Sequence, residues 1–98
     1  MEISELQDGM RRVDVEGTVR DLQPARTVTL KTGSEAKIME AFLYKDGSDE
    51  VKIKVSFWGS EIDNITDGVR IKITNGYTNT FRGELRLSVG KYGKLEVL

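Results

Sequence analysis

The sequence predicts an all-β domain, a five-stranded antiparallel barrel with one short helix between the third and fourth strands. Three observations carry this prediction. Apolar residues recur with a period of two over most of the chain, turn signals separate the runs, and one short segment has helical spacing instead. At 98 residues the chain fits one domain and is short for two. The expected organisation is therefore a single unit over residues 1–98, without internal repeat or linker.

The first strand is read from Val13, Val15, Gly17 and Val19, which alternate with Asp14, Glu16, Thr18 and Arg20. That is the pattern of one face in a core and one face out. Gln23-Pro24-Ala25-Arg26 ends it, and Lys31-Thr32-Gly33-Ser34 reads as a hairpin tip within a long first connection. A second strand over residues 36–44 alternates less cleanly, as a bulge or burial on both faces would produce. Asp46-Gly47 is a hairpin signal leading to the third strand, where Val51, Ile53, Val55 and Phe57 alternate with Lys52, Lys54, Ser56 and Trp58. Residues 59–65 predict one to two helical turns, with Ser60 as N-cap, acidic residues in the first turn, and Ile62 and Ile65 three apart. Asp67-Gly68 introduces the fourth strand, with Val69, Ile71 and Ile73 against Arg70, Lys72 and Thr74. Residues 78–83 form the connection to the fifth strand, where Leu85, Leu87 and Val89 alternate with Glu84, Arg86 and Ser88. Leu95 and Val97 extend this strand past a Gly90/Gly93 kink. Five such strands match the OB-fold, a partly open Greek-key barrel, and the helix after the third favours it over an SH3-like barrel or a small sandwich.

Composition narrows the chemistry. With no cysteine and no histidine, disulfides, thiolate and imidazole metal sites, and His-based nucleophilic schemes are excluded. The Asp46–Glu50 run lacks the ligand spacing of a calcium loop, and Gly90-Lys91-Tyr92-Gly93 lacks the length of a phosphate loop. A binding protein without cofactor, metal or small-molecule substrate is expected. No apolar run approaches the roughly 18–20 residues of a membrane span, and no basic-then-apolar leader opens the sequence. The expected location is cytoplasmic.

Net charge is −1 and the pI is near 5.5, which taken globally argues against nucleic acid. The distribution argues otherwise. Residues 1–50 hold seven basic and eleven acidic side chains, whereas residues 51–98 hold eight and five. Between Arg70 and Lys94 stand Arg70, Lys72, Arg82, Arg86, Lys91 and Lys94 against Glu84 alone. A phosphate responds to its local patch, because charges are screened within about 8 Å in physiological salt.

Trp58 is the central candidate. Strand parity puts it on the face opposite Phe57, beside Lys52, Lys54 and Ser56. An exposed indole among lysines suits base stacking with phosphate contacts; the alternative is a lid folded over the helix. Phe81, in a polar connector beside Arg82, suits the same role or a local packing one. Parity from Ile71 and Ile73 places Tyr77 inside, while Gly76 before it can mark a face-switching bulge, so the residues alone leave Tyr77 open. Tyr92 is open likewise. Arg86 with Ser88 on the fifth strand, Lys52, Lys54 and Lys72 on outward faces, Lys91 in the basic run, and Arg26 and Lys31 in the first connection complete the candidates.

Several motifs together are recognisable: Val55-Ser56-Phe57-Trp58-Gly59, Gly68-Val69-Arg70-Ile71, Asn75-Gly76-Tyr77 and the run from Phe81-Arg82-Gly83 to Gly90. With Ile3-Ser4-Glu5-Leu6 and the segment from Gly9 to Gly17, the sequence resembles archaeal single-stranded DNA-binding proteins of the replication protein A-like group and their simple single-OB eukaryotic relatives. The resemblance covers nearly the whole chain. It implies that the aromatics at Trp58, Tyr77 and Phe81 stack on successive bases, and so favours binding for Tyr77. Some relatives carry a further aromatic where this chain has Ser88, which implies weaker stacking there. Members often continue into an acidic tail that recruits partners; the sequence to Leu98 holds none, which suits either a domain of a longer protein or a minimal version.

The expected function is thus non-enzymatic and largely sequence-independent binding of single-stranded DNA in replication, repair or recombination, with replication or repair proteins as further partners. The alternatives are an OB domain for single-stranded RNA or tRNA, and one using Trp58 and Phe81 as an apolar hot spot for a protein.

Overall fold

The computed structural model describes residues 2–89 and 93–98, the Ser60 side chain excepted. Its strands are β1 (Val13–Arg20), β2 (Arg26–Thr29), β3 (Glu35–Tyr44), β4 (Lys52–Trp58), β5 (Arg70–Phe81), β6 (Glu84–Ser88) and β7 (Lys94–Val97). Short 3-10 helices occupy Ile3–Glu5 and Gly59–Asn64. β1 pairs with β3, β3 with β4, β4 with β6, β6 with β5, and β5 again with β1. All of these pairings are antiparallel except β4–β6. This five-strand circuit is the OB barrel, and it closes unevenly: β1–β3 and β4–β6 are short seams beside the long β3–β4 ladder.

The period-two residues fill the barrel. Val13, Val15, Val19, Met39, Ala41, Leu43, Ile53, Val55, Phe57, Ile71, Ile73 and Leu87 form the buried cluster, joined by Ile3, Leu6 and Ile65. At Gly17 β1 lies tight against the end of β3. A Cβ there would lie 2.5 Å from the Tyr44 carbonyl oxygen and 2.9 Å from Leu43 Cγ. Gly17→Ala is expected to lower stability by about 1–3 kcal/mol, the range for overpacking, read as a lower urea midpoint at unchanged slope.

Several sequence expectations need correction. The long first connection contains β2, paired to β3 through the predicted turn, where the Leu30 N–H donates to the Ser34 carbonyl at 2.8 Å. Leu95 and Val97 do not extend the fifth strand; they lie in β7, antiparallel to the first half of β5. The helix after β4 begins at Gly59, one residue before the expected cap. Trp58 holds the cap position in place of Ser60, and its N–H donates to Glu61 Oε1 at 2.9 Å.

The largest correction concerns the connection at residues 78–83. β5 runs on to Phe81, so the loop is only Arg82-Gly83, with φ of +53° and +79°. Two left-handed residues in a two-residue hairpin match the right-handed twist of the flanking strands. Phe81 is therefore a strand residue, paired with Glu84. The strand continues because it changes faces midway. Val13 pairs with Gly76 and Val15 with Ile73, so β5 spends one more residue than β1 over the same interval. Asn75 absorbs it with φ of +56°, and its N–H donates to Asp14 Oδ1 at 2.9 Å. Beyond this bulge Gly76 and Thr78 point inward while Tyr77 and Asn79 are exposed. The Thr78 backbone and hydroxyl are tied to Gln7 and Met10, which stitches the N-terminal segment to β5.

Candidate nucleic-acid interface

Core parity leaves one continuous outer surface across β3, β4, β6 and the second half of β5. Registers arrange it in rows. Ile38 stands beside Trp58. The next row is Glu40, Ser56, Ser88 and Tyr77, and the next is Phe42, Lys54, Arg86 and Asn79. Tyr44 beside Lys52 and Glu84 beside Phe81 complete it.

Three large aromatic side chains on this surface remain open to solvent: Trp58 at 39%, Tyr77 at 41% and Phe81 at 51% exposure. The Trp58 side chain is thus not covered as a lid folded over the helix would be. Trp58 reaches the surface because Phe57 is fully buried and the pleat alternates. Tyr77 reaches it only because of the bulge at Asn75. Phe81 reaches it at the strand end, where the guanidinium carbons of Arg82 and Arg86 lie 5.2 and 5.0 Å from its ring centroid. These cations and the ring form one mixed platform.

Electrostatics on this surface are less open than the sequence suggests. Glu40, with only 12% of its side chain exposed, meets Arg26 at 2.8 Å and Lys54 at 3.0 Å, and Arg86 lies 3.8 Å away. Glu84 adds contacts at 3.3 Å to Lys54 and 3.7 Å to Arg86. Burial pushes the Glu40 carboxyl up, but Lys54, helped by Arg26 and Arg86, outweighs it and holds the group below the usual glutamate range. Lys52 is differently placed. Its ammonium stands 4.7 Å from the Phe42 ring centroid and 3.4 Å from the Tyr44 hydroxyl, which itself donates to Asp21 at 2.7 Å.

The fold thus brings Trp58, Tyr77, Phe81, Arg82, Arg86, Lys52, Lys54 and Ser88 onto or beside one surface. Lys72 stays apart, on the first half of β5 opposite Glu16 and Glu96. Arg26, on β2, reaches the surface through Glu40, and Lys31 lies in the exposed β2–β3 turn. Lys91 and Tyr92 lie outside the described residues. Sequence reasoning missed Glu40 and Phe42, although strict alternation from Met39, Ala41 and Leu43 already puts both on the outer face.

A five-strand circuit with a parallel β4–β6 seam and a helix after β4 defines an OB-fold domain, here with an aromatic and basic outer face. The chain belongs to the family described as single-stranded DNA binding protein Ssb-like, OB fold, whose model matches residues 11–97. A curated relative, the single-stranded DNA binding protein Ssb of Saccharolobus solfataricus, is 29% identical over 93 residues, which cover 95% of this chain and 60% of that protein. The chain therefore spans 60% of that relative's length. Among solved structures, the OB domain of Ta0387 from Thermoplasma acidophilum matches all of this chain and 85% of its own, with a TM-score of 0.81 and 20% identity. The replication factor A related protein from Methanobacterium thermoautotrophicum matches all of this chain and 89% of its own, with a TM-score of 0.76 and 24% identity. At these identities the two structures support the fold.

Proposed function

We propose that this domain binds single-stranded DNA with little dependence on sequence, stacking bases on Trp58, Tyr77 and Phe81 and placing phosphates near Arg82 and Lys52. The carrying observation is that three aromatic side chains from separate positions on β4 and β5 stay exposed on one charged face. A soluble domain gains nothing in stability from leaving large rings in water, so such a group favours a ligand with flat apolar faces. Each base has a π-face, and stacking contributes roughly 1–3 kcal/mol per base without reading sequence. The family membership and the name of the Saccharolobus relative support DNA as that ligand. Binding without chemistry then serves replication, repair or recombination by holding exposed strands.

Titration with short oligo-dT, followed by Trp58 fluorescence at several salt concentrations, tests this. Emission should change on binding, with affinity falling as salt rises by about 0.7 log units per log unit for each phosphate neutralised. Unchanged emission with no retained DNA at low salt would reject the proposal. Competition by single-stranded RNA and duplex DNA in the same assay separates DNA from RNA readings.

A further inference from the structure

Arg86 occupies the middle of the outer surface, between Lys54 and Asn79 in its row and beside the row of Ser88 and Tyr77. Its surroundings are unusual for a phosphate ligand. Nη1 lies 3.8 Å from Glu40 and Nη2 lies 3.7 Å from Glu84. These separations permit charge attraction but exceed hydrogen-bond distance. Nε is buried and donates to no group among the described residues. A guanidinium has five N–H donors in a fixed plane and no acceptor. Arg86 is therefore charge-balanced by two carboxylates and stacked against Phe81; its buried Nε is out of a ligand's reach, and the Nη groups of this 24%-exposed side chain, beyond hydrogen-bond distance of both carboxylates, are the donors a ligand can meet.

We infer that Arg86 hydrogen-bonds to a base edge rather than to a phosphate, and that it makes this surface prefer bases carrying a carbonyl acceptor. The inference rests on the single-stranded DNA reading above and narrows its indifference to sequence, which then holds for the stacked bases but not for the base edge that meets Arg86. A phosphate seated on Arg86 would also approach Glu40 and Glu84, and like charges at such range repel strongly in a partly buried setting. A neutral base edge meets no such repulsion. Guanine offers O6 with N7, thymine offers O4, and cytosine offers O2, whereas adenine's acceptors are ring nitrogens alone, and its N7 and N1 each sit beside an N6 amino donor that opposes Arg86's own donors. Phosphates are left to cations outside the Glu40–Glu84 fence, such as Arg82 at the hairpin tip, which makes no ion pair among the described residues.

The test compares the unaltered chain with Arg86→Ala and Arg86→Lys on oligo-dT and oligo-dA across a salt series. The unaltered chain should bind oligo-dT more tightly than oligo-dA. Arg86→Ala should weaken oligo-dT binding about 5- to 150-fold, move oligo-dA by about twofold or less, and leave the salt slope unchanged. Arg86→Lys keeps the charge and loses the planar fork, so it should lose the base preference and keep the slope. Equal losses on both oligomers, or a slope shallower by about 0.7 in the alanine variant, would overturn the inference, the latter by making Arg86 a phosphate contact. Failure of the unaltered chain to bind either oligomer overturns the DNA-binding reading itself.

Discussion

Trp58→Ala is expected to weaken binding of oligo-dT about 5- to 150-fold at fixed salt, the equivalent of roughly 1–3 kcal/mol for one stacked base. Trp58 is 39% exposed and is not part of the buried core cluster, so its removal should cost less stability than loss of a core ring. The helix after β4 should survive as well, because the backbone N–H of Trp58, not its indole, meets Glu61. Thermal and urea unfolding should therefore shift much less than affinity does. Fluorescence anisotropy of a labelled oligonucleotide reads the affinity, since the variant lacks the only tryptophan. The salt slope should be unchanged, because stacking releases no counterions. An affinity within about twofold of the unaltered chain would show that bases do not stack on the indole.

Its neighbour should behave in the opposite way. Phe57→Ala is expected to cost about 3–5 kcal/mol of stability, as deletion of a fully buried ring leaves a cavity that the barrel only partly fills. Domains of this kind hold roughly 5–15 kcal/mol in all, so the variant should unfold at a much lower urea concentration. Saturating oligo-dT should restore part of that loss, since a ligand that binds only the folded state stabilises it. A loss below about 1 kcal/mol would mean that Phe57 is not part of a packed core. Two adjacent residues thus divide stability from binding, and the pleat is what divides them.

Much of this was legible in the chain. The period of two located every barrel strand and most of the core, because a half-buried strand must alternate. Trp58 followed directly, since its parity is fixed by Val51, Ile53, Val55 and Phe57 on one uninterrupted run. Tyr77 did not follow, and only the family resemblance favoured it. Its side depends on one extra residue at Asn75, and a bulge exists only against the partner strand that it slips past. Phe81 reads as a loop residue in the sequence and is strand in the structure, because two left-handed residues suffice for the turn and Thr78 to Thr80 continue the ladder. β2 was hidden in the first connection, since a four-residue strand with one half-buried side chain has almost no periodic signal.

The charges mark the clearest division. Counting along the sequence shows a basic second half and nominates Lys54 and Arg86 as free cations. Glu40 lies 14 residues from Lys54 and far from Arg86 in the chain, yet β3, β4 and β6 set all three in neighbouring positions. By itself, then, the sequence determined the barrel, its core and an outward Trp58, all consequences of local alternation. Tertiary structure alone decided that Tyr77 joins the same surface and that Glu40 and Glu84 neutralise its central cations. Those outcomes depend on strand register, and register is a property of paired strands rather than of any one of them.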